Sequence, residues 1–137
     1  EIPFETFSSL ENFKVYLVDT GLLVSMLGQE AQKLLLMNEL GIAKGAIYEN
    51  IIATILKTNK HNLYYYERST GLEIDFITSI DLKIVAIEVK SGDNTKSKSL
   101  ATLLNEEKIT SGIRLSRKNY HDGGKIKSLP LYFSVFL

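Results

Sequence analysis

Residues 72–92, LEIDFITSIDLKIVAIEVKSG, decide the fold. They hold two short apolar segments, with Asp75 on the first and the triplet Glu88-Val89-Lys90 on the second. Strand alternation predicts Glu73, Asp75 and Ile77 on one face, with Ile74 and Phe76 on the other. On the second segment it groups Ala86, Glu88 and Lys90, and leaves Val85, Ile87 and Val89 as an apolar face. With a connecting loop over residues 80–83, antiparallel pairing sets Asp75 opposite Glu88. Two carboxylates and one ammonium are then expected on the same side of the sheet, a pattern suited to a divalent cation.

Working outward, the segment before this pair reads as a helix. Over residues 45–58, Ile47, Tyr48, Ile51, Ile52, Ala53, Ile55 and Leu56 cover a broad apolar arc, and Asn50, Thr54, Lys57 and Thr58 form the polar side. Glu49 falls inside the apolar arc, where a carboxylate needs a partner. An ordinary partner would be a backbone N–H or an arginine such as Arg68. Residues 63–67, LYYYE, are rich in strand formers, and alternation makes Tyr65 the core residue of that run. Downstream, residues 96–108 read as a helix with Leu100, Leu103 and Leu104 on one stripe, and 112–116 as a strand. Asp122-Gly123-Gly124 reads as a turn, and Pro130 restricts the apolar tail to an edge strand or a helix start.

The front of the chain carries no polar constellation. Residues 1–13 read as an irregular lead-in containing Pro3, Phe4, Phe7 and Phe13, and 14–18, KVYLV, as a short β-prone run. Asp19-Thr20 is a helix start for 21–27, and a second amphipathic segment, 30–40, is expected to close at Gly41. The domain plan is therefore residues 1–44 as a lead-in packed on a core of 45–137, in one compact domain.

Composition narrows the functional classes. Sixteen basic residues balance sixteen acidic ones in 137, so no global field steers the chain to nucleic acid or membrane. Local basic residues, Lys96, Lys98, Arg114, Arg117 and Lys118, could still meet phosphates. The absence of cysteine excludes disulfides and thiolate metal sites and fits a reducing, cytoplasmic setting. No apolar run approaches the ~20 residues that span a bilayer. His61 and His121 lack ligand spacing and read as surface residues. The start at Glu1 rather than Met points to a piece of a longer protein.

The set Glu49, Asp75, Glu88-Val89-Lys90, in the order helix, strand, strand, resembles the PD-(D/E)XK nuclease-like superfamily. That resemblance implies a restriction-endonuclease-like αβββαβ core, a mixed central sheet flanked by helices. It also implies Mg²⁺ or Mn²⁺ held by Asp75, Glu88 and the Val89 carbonyl, with Lys90 and Glu49 as catalytic residues and DNA as the substrate. The proline that often precedes the first acid is absent, since Ile74 stands there. A narrower resemblance rests on KVYLVDTGLL from Lys14, GAIYEN from Gly45, YYER from Tyr65, EIDF from Glu73, IEVKSG from Ile87 and KSL from Lys98. Together these are similar to the C-terminal domain of unknown function of bacterial and archaeal AAA-type ATPases. Such a domain would be linked to an upstream ATPase module. The chain itself has no Gly-x-x-x-x-Gly-Lys-Ser/Thr loop, so no ATP site of that kind is expected in it. The alternative is a nuclease-fold module without turnover that serves protein–protein interaction or regulates the ATPase. The oligomeric state is open, with the apolar tail 131–137 either an interface or a cover for the domain's own core.

Overall fold

A computed structural model describes residues 9, 11–41, 43–92, 97–106 and 109–137. Pro3, Phe4 and Phe7, Lys96 and the end of the expected helix at 107–108 lie outside the described residues. The elements are α1 (Thr20–Met26), α2 (Gly28–Leu36), α3 (Ala43–Thr58), β1 (Tyr64–Glu67), β2 (Glu73–Ile80), β3 (Lys83–Val89), α4 (Lys98–Asn105), β4 (Ser111–Ser116), β5 (His121–Gly123), β6 (Ile126–Pro130) and a 3₁₀ helix, Leu131–Phe136. From α3 to β4 the order is αβββαβ.

The sheet is six-stranded and mixed, in the order β1-β2-β3-β4-β6-β5. β2 pairs antiparallel with β1 and β3, whereas β3–β4 and β4–β6 are parallel. The β2–β3 hairpin closes through Asp81-Leu82 alone, because Ile80 pairs with Lys83. Both turn residues take left-handed φ values, 50° and 62°, the conformation that lets a two-residue turn follow the twist of its strands. The loop is thus shorter than the expected 80–83.

One helix covers each face of this sheet. Ile52, Ala53 and Leu56 of α3 pack with Phe76, Val85, Ile87, Val89, Ile113, Leu115 and Leu129. Leu100, Leu103 and Leu104 of α4 pack with Ile74, Ile77, Ala86 and Ile109 on the other side. Alternation holds along β3, where Val85, Ile87 and Val89 face α3 and Ala86 faces α4. It fails on β2. Ile74 and Ile77 both belong to the α4 face, with Phe76 between them on the α3 face. The cause is a register shift against β1: Tyr66 pairs with Ile74 but Tyr64 with Ile77, so β2 carries one extra residue there. A bulge of this kind re-aims the side chains around it, and the residue beside Phe76 in the extra step is Asp75.

Other expectations need local correction. The run 14–18 is not a strand. The Leu17 N–H donates to Asn50 Oδ1 (2.8 Å) and its carbonyl accepts from Asn50 Nδ2 (2.9 Å), so a side-chain amide replaces a neighbouring strand. Asp19 caps α1 as expected, accepting from the Leu22 N–H at 3.0 Å. The second helix stops at Leu36, before Gly41: Asn38 adopts φ 62°, and the Glu39 and Asn38 N–H groups bond back to Leu34 and Leu35. Tyr65 is not the core residue of β1; Tyr64 and Tyr66 pack on the α4-face cluster instead. Ile51 lies outside the buried arc of α3, at 38% exposure. Asp122 and Gly123 belong to β5, and the turn falls at Gly124 and Lys125. Pro130 ends β6 and starts the 3₁₀ helix, whose Leu131, with Leu137 after it, packs on the α3-face core while Tyr132 and Phe136 stay exposed. Among the described residues no helix is long and apolar enough to cross a membrane.

Candidate functional site

The acids gather where α3, the start of β2 and the end of β3 meet. One step beyond the Phe76–Ile87 pair stand Asp75 and Glu88. Asp75 is half-buried, and its Oδ2 accepts a 2.6 Å hydrogen bond from the Val89 N–H. Burial pushes its pKa up to about 7. The Val89 N–H bond works against that rise, the Glu49 charge adds to it, and Lys14 and Glu88 act last, in opposite directions. The carboxyl therefore stands between its two protonation states near neutral pH.

Glu88 is buried at 6% exposure. One oxygen meets the Lys90 ammonium at 2.6 Å, while Oε2 has no hydrogen-bond partner within the described chain. A buried carboxylate oxygen left in that condition is costly, and the cost is offset when a cation or donor approaches it. Lys90 remains about a quarter exposed, so its ammonium reaches solvent while held by Glu88.

Glu49 does lie on the core side of α3, half-buried, but its partner is neither a backbone N–H nor Arg68. Arg68 instead donates to both oxygens of Glu106 and to the Tyr66 hydroxyl. Glu49 faces Lys14 at 3.8 Å, and burial raises its pKa. Lys14 also donates to Glu73 at 2.5 Å and lies 5.3 Å over the Tyr65 ring. Burial works against the Lys14 charge, yet the bond to Glu73 and the charges of Glu49, Glu73 and Asp75 together hold its pKa above the ordinary lysine value. Tyr16 stacks tilted on Phe76 at 5.7 Å. Its buried hydroxyl lies close to Glu49 without reaching hydrogen-bond geometry, and burial, then the Glu49 charge, raise its pKa.

Residue reasoning from the hairpin missed Lys14, Tyr16 and Glu73. Their contacts come from the lead-in crossing over α3, and sequence spacing carries no trace of that path. The four expected residues divide into two pairs: Glu88 turns to Lys90, and Asp75, re-aimed by the bulge, shares its surroundings with Glu49. Among the described residues no group of three acids or histidines is collected tightly enough to form a ready cage. Magnesium does not require one, since it keeps most of its water and uses one or two carboxylates. The Oε2 of Glu88, without a partner among the described residues, and the second oxygen of Asp75 are the atoms such an ion would meet. Arg114 of β4, by contrast, bonds Ser128, and Lys98, Arg117 and Lys118 sit on the surface.

Residues 44–133, well over half of the chain, match the family described as a domain of unknown function, DUF4143. The chain belongs to this family. The matched DUF4143 segment runs from the start of α3 into the 3₁₀ helix and so contains Glu49, Asp75, Glu88 and Lys90. No curated protein and no solved structure matches the chain.

Proposed function

We propose that this DUF4143 domain is a metal-dependent, nuclease-like module that binds the phosphodiester backbone of DNA and is attached to an AAA-type ATPase. The observation that carries the reading is two carboxylates at neighbouring positions of paired strands, Asp75 half-buried and Glu88 buried. Asp75 is held by the Val89 N–H, and Glu88 has one oxygen on Lys90 and one to spare. Asp75 and Glu88, with the Val89 carbonyl, would hold Mg²⁺ or Mn²⁺, which when bound supplies Lewis acidity toward a phosphate oxygen. Lys90, on the same face as Glu88 and open to solvent, would neutralise charge building on the phosphate. Glu49, with its raised pKa, would take up or release a proton at the rim. The likeness to PD-(D/E)XK enzymes supports the assignment of roles, and the likeness to ATPase C-terminal domains supports the linkage.

The test is a Mn²⁺ titration by calorimetry on the wild type and on Asp75→Asn. Saturable binding that the substitution abolishes is expected. If neither protein takes up Mn²⁺, with or without DNA, the metal-dependent reading fails.

A second reading is favoured by a separate observation. α1 and α2 bury none of their residues, and Met26, Leu36 and Met37 face solvent at 66–87% exposure. A module that regulates the ATPase by protein–protein contact would use such a surface. On that reading DNA leaves the NMR spectrum of the domain unperturbed.

A further inference from the structure

The lead-in over residues 11–18 crosses the acidic centre and places one cation in it. Lys14 donates to Glu73 at 2.5 Å, faces Glu49 at 3.8 Å and lies close enough to Asp75 for each to act on the other's charge. Three residues further on the strap is clamped. The Asn50 carboxamide bonds both the N–H and the C=O of Leu17, and also the Thr20 hydroxyl at 2.8 Å. Asn50 is 2% exposed, so the clamp is shielded from water and holds the strap against α3. Between clamp and cation, Tyr16 rests on Phe76, the neighbour of Asp75.

We infer that this strap is an autoinhibitory contact in which the Lys14 ammonium serves as an internal counter-ion and competes with a divalent cation for the acidic centre. The inference rests on the metal-binding reading of Asp75 and Glu88. Without a cation, Glu49 repels both Glu73 and Asp75, and the ammonium, drawn to all three, relieves that repulsion. A divalent ion at Asp75 brings a second, larger positive charge beside the Glu49 and Glu73 carboxylates that Lys14 already faces. The two cations repel, so each weakens the binding of the other. The coupling is reciprocal: whatever the strap costs the metal in affinity, the metal costs the strap in docking. Lys14 is three-quarters covered rather than enclosed, and an ammonium on a flexible stem leaves such a position without disrupting a core. Partners that pull the lead-in aside would therefore open the centre.

The experiment compares Mn²⁺ affinity, by calorimetry, in the wild type, Lys14→Met and Lys14→Arg, with amide exchange at Leu17 measured before and after Mg²⁺ is added. Lys14→Met should bind Mn²⁺ about two- to fivefold more tightly, the size expected for one partly exposed charge contact. Lys14→Arg keeps the charge and should stay near the wild type. Mg²⁺ should speed exchange of the Leu17 amide in the wild type. Equal affinity in the wild type and Lys14→Met overturns the autoinhibitory role while leaving the metal site standing. Weaker binding in Lys14→Met overturns it as well and makes Lys14 a supporting residue. If no variant binds Mn²⁺, the metal reading fails and the inference falls with it.

Discussion

Asp75 shows how much one residue's surroundings decide. Its pKa stands at about 7 instead of 3.8, chiefly because burial penalises the charged form. A carboxyl whose folded pKa exceeds its unfolded pKa costs nothing at low pH, where both states are protonated. Stability is lost as pH rises from about 4 to about 7, because the unfolded chain releases its proton first. Above pH 7 the full cost is present, at most ~4 kcal/mol for a shift of this size. Glu49, raised by the same cause, acts in the same direction. Metal-free protein should therefore be more stable to urea at pH 5 than at pH 8, and Asp75→Asn should remove most of that difference. Denaturation curves of both proteins at the two pH values decide it; the same pH dependence in the variant would mean that Asp75 is not its source.

At the scale of elements, packing between α4 and the sheet is tight at one backbone position. A Cβ at Gly112 of β4 would come within 2.8–3.1 Å of three side-chain atoms of Leu100, which is fully buried. Gly112→Ala should cost about 1–3 kcal/mol by overpacking. Its cost should shrink when Leu100 is shortened to Ala, because the clash is then gone. A double-mutant cycle from denaturant melts reads this coupling, and additive costs would place the strain elsewhere. The same elements set what was legible in the sequence. The leucine stripe of α4, the apolar arc of α3 and the IVAIEV alternation of β3 each reveal a buried face, because helix and strand periods are local properties. At Asp75 β2 departs from simple alternation because a bulge is fixed by the partner strand, and nothing in EIDF marks the extra residue. α2 ends before Gly41 because Asn38 takes the left-handed conformation two residues after Leu36, a role that a glycine fills more often.

For the whole molecule, the acids could be found from the sequence and their neighbours could not. Glu49, Asp75, Glu88 and Lys90 stood out as charges on apolar segments, a signal each residue carries by itself. Lys14 reaches Glu73 across 59 positions, and Asn50 reaches Leu17 across 33, so those contacts exist only after the lead-in has folded over α3. This division should also appear in the stability of the parts. β3 lies inside the sheet between two strands, with every residue from Val85 to Val89 buried, and α3 supplies a fully buried Leu56. α1 and α2 bury nothing and contact the rest chiefly through one another and α3. Regions with few buried contacts open at low free energy, whereas central strands open only with global unfolding. Amide exchange should therefore be fast in α1 and α2, intermediate at Leu17 under its Asn50 clamp, and slowest in β3. Protection in α1 and α2 equal to that of β3 would contradict the ranking. It would require their apolar side chains to be covered by another protein surface in solution, and the protein-interaction reading would then gain over the nuclease-like one.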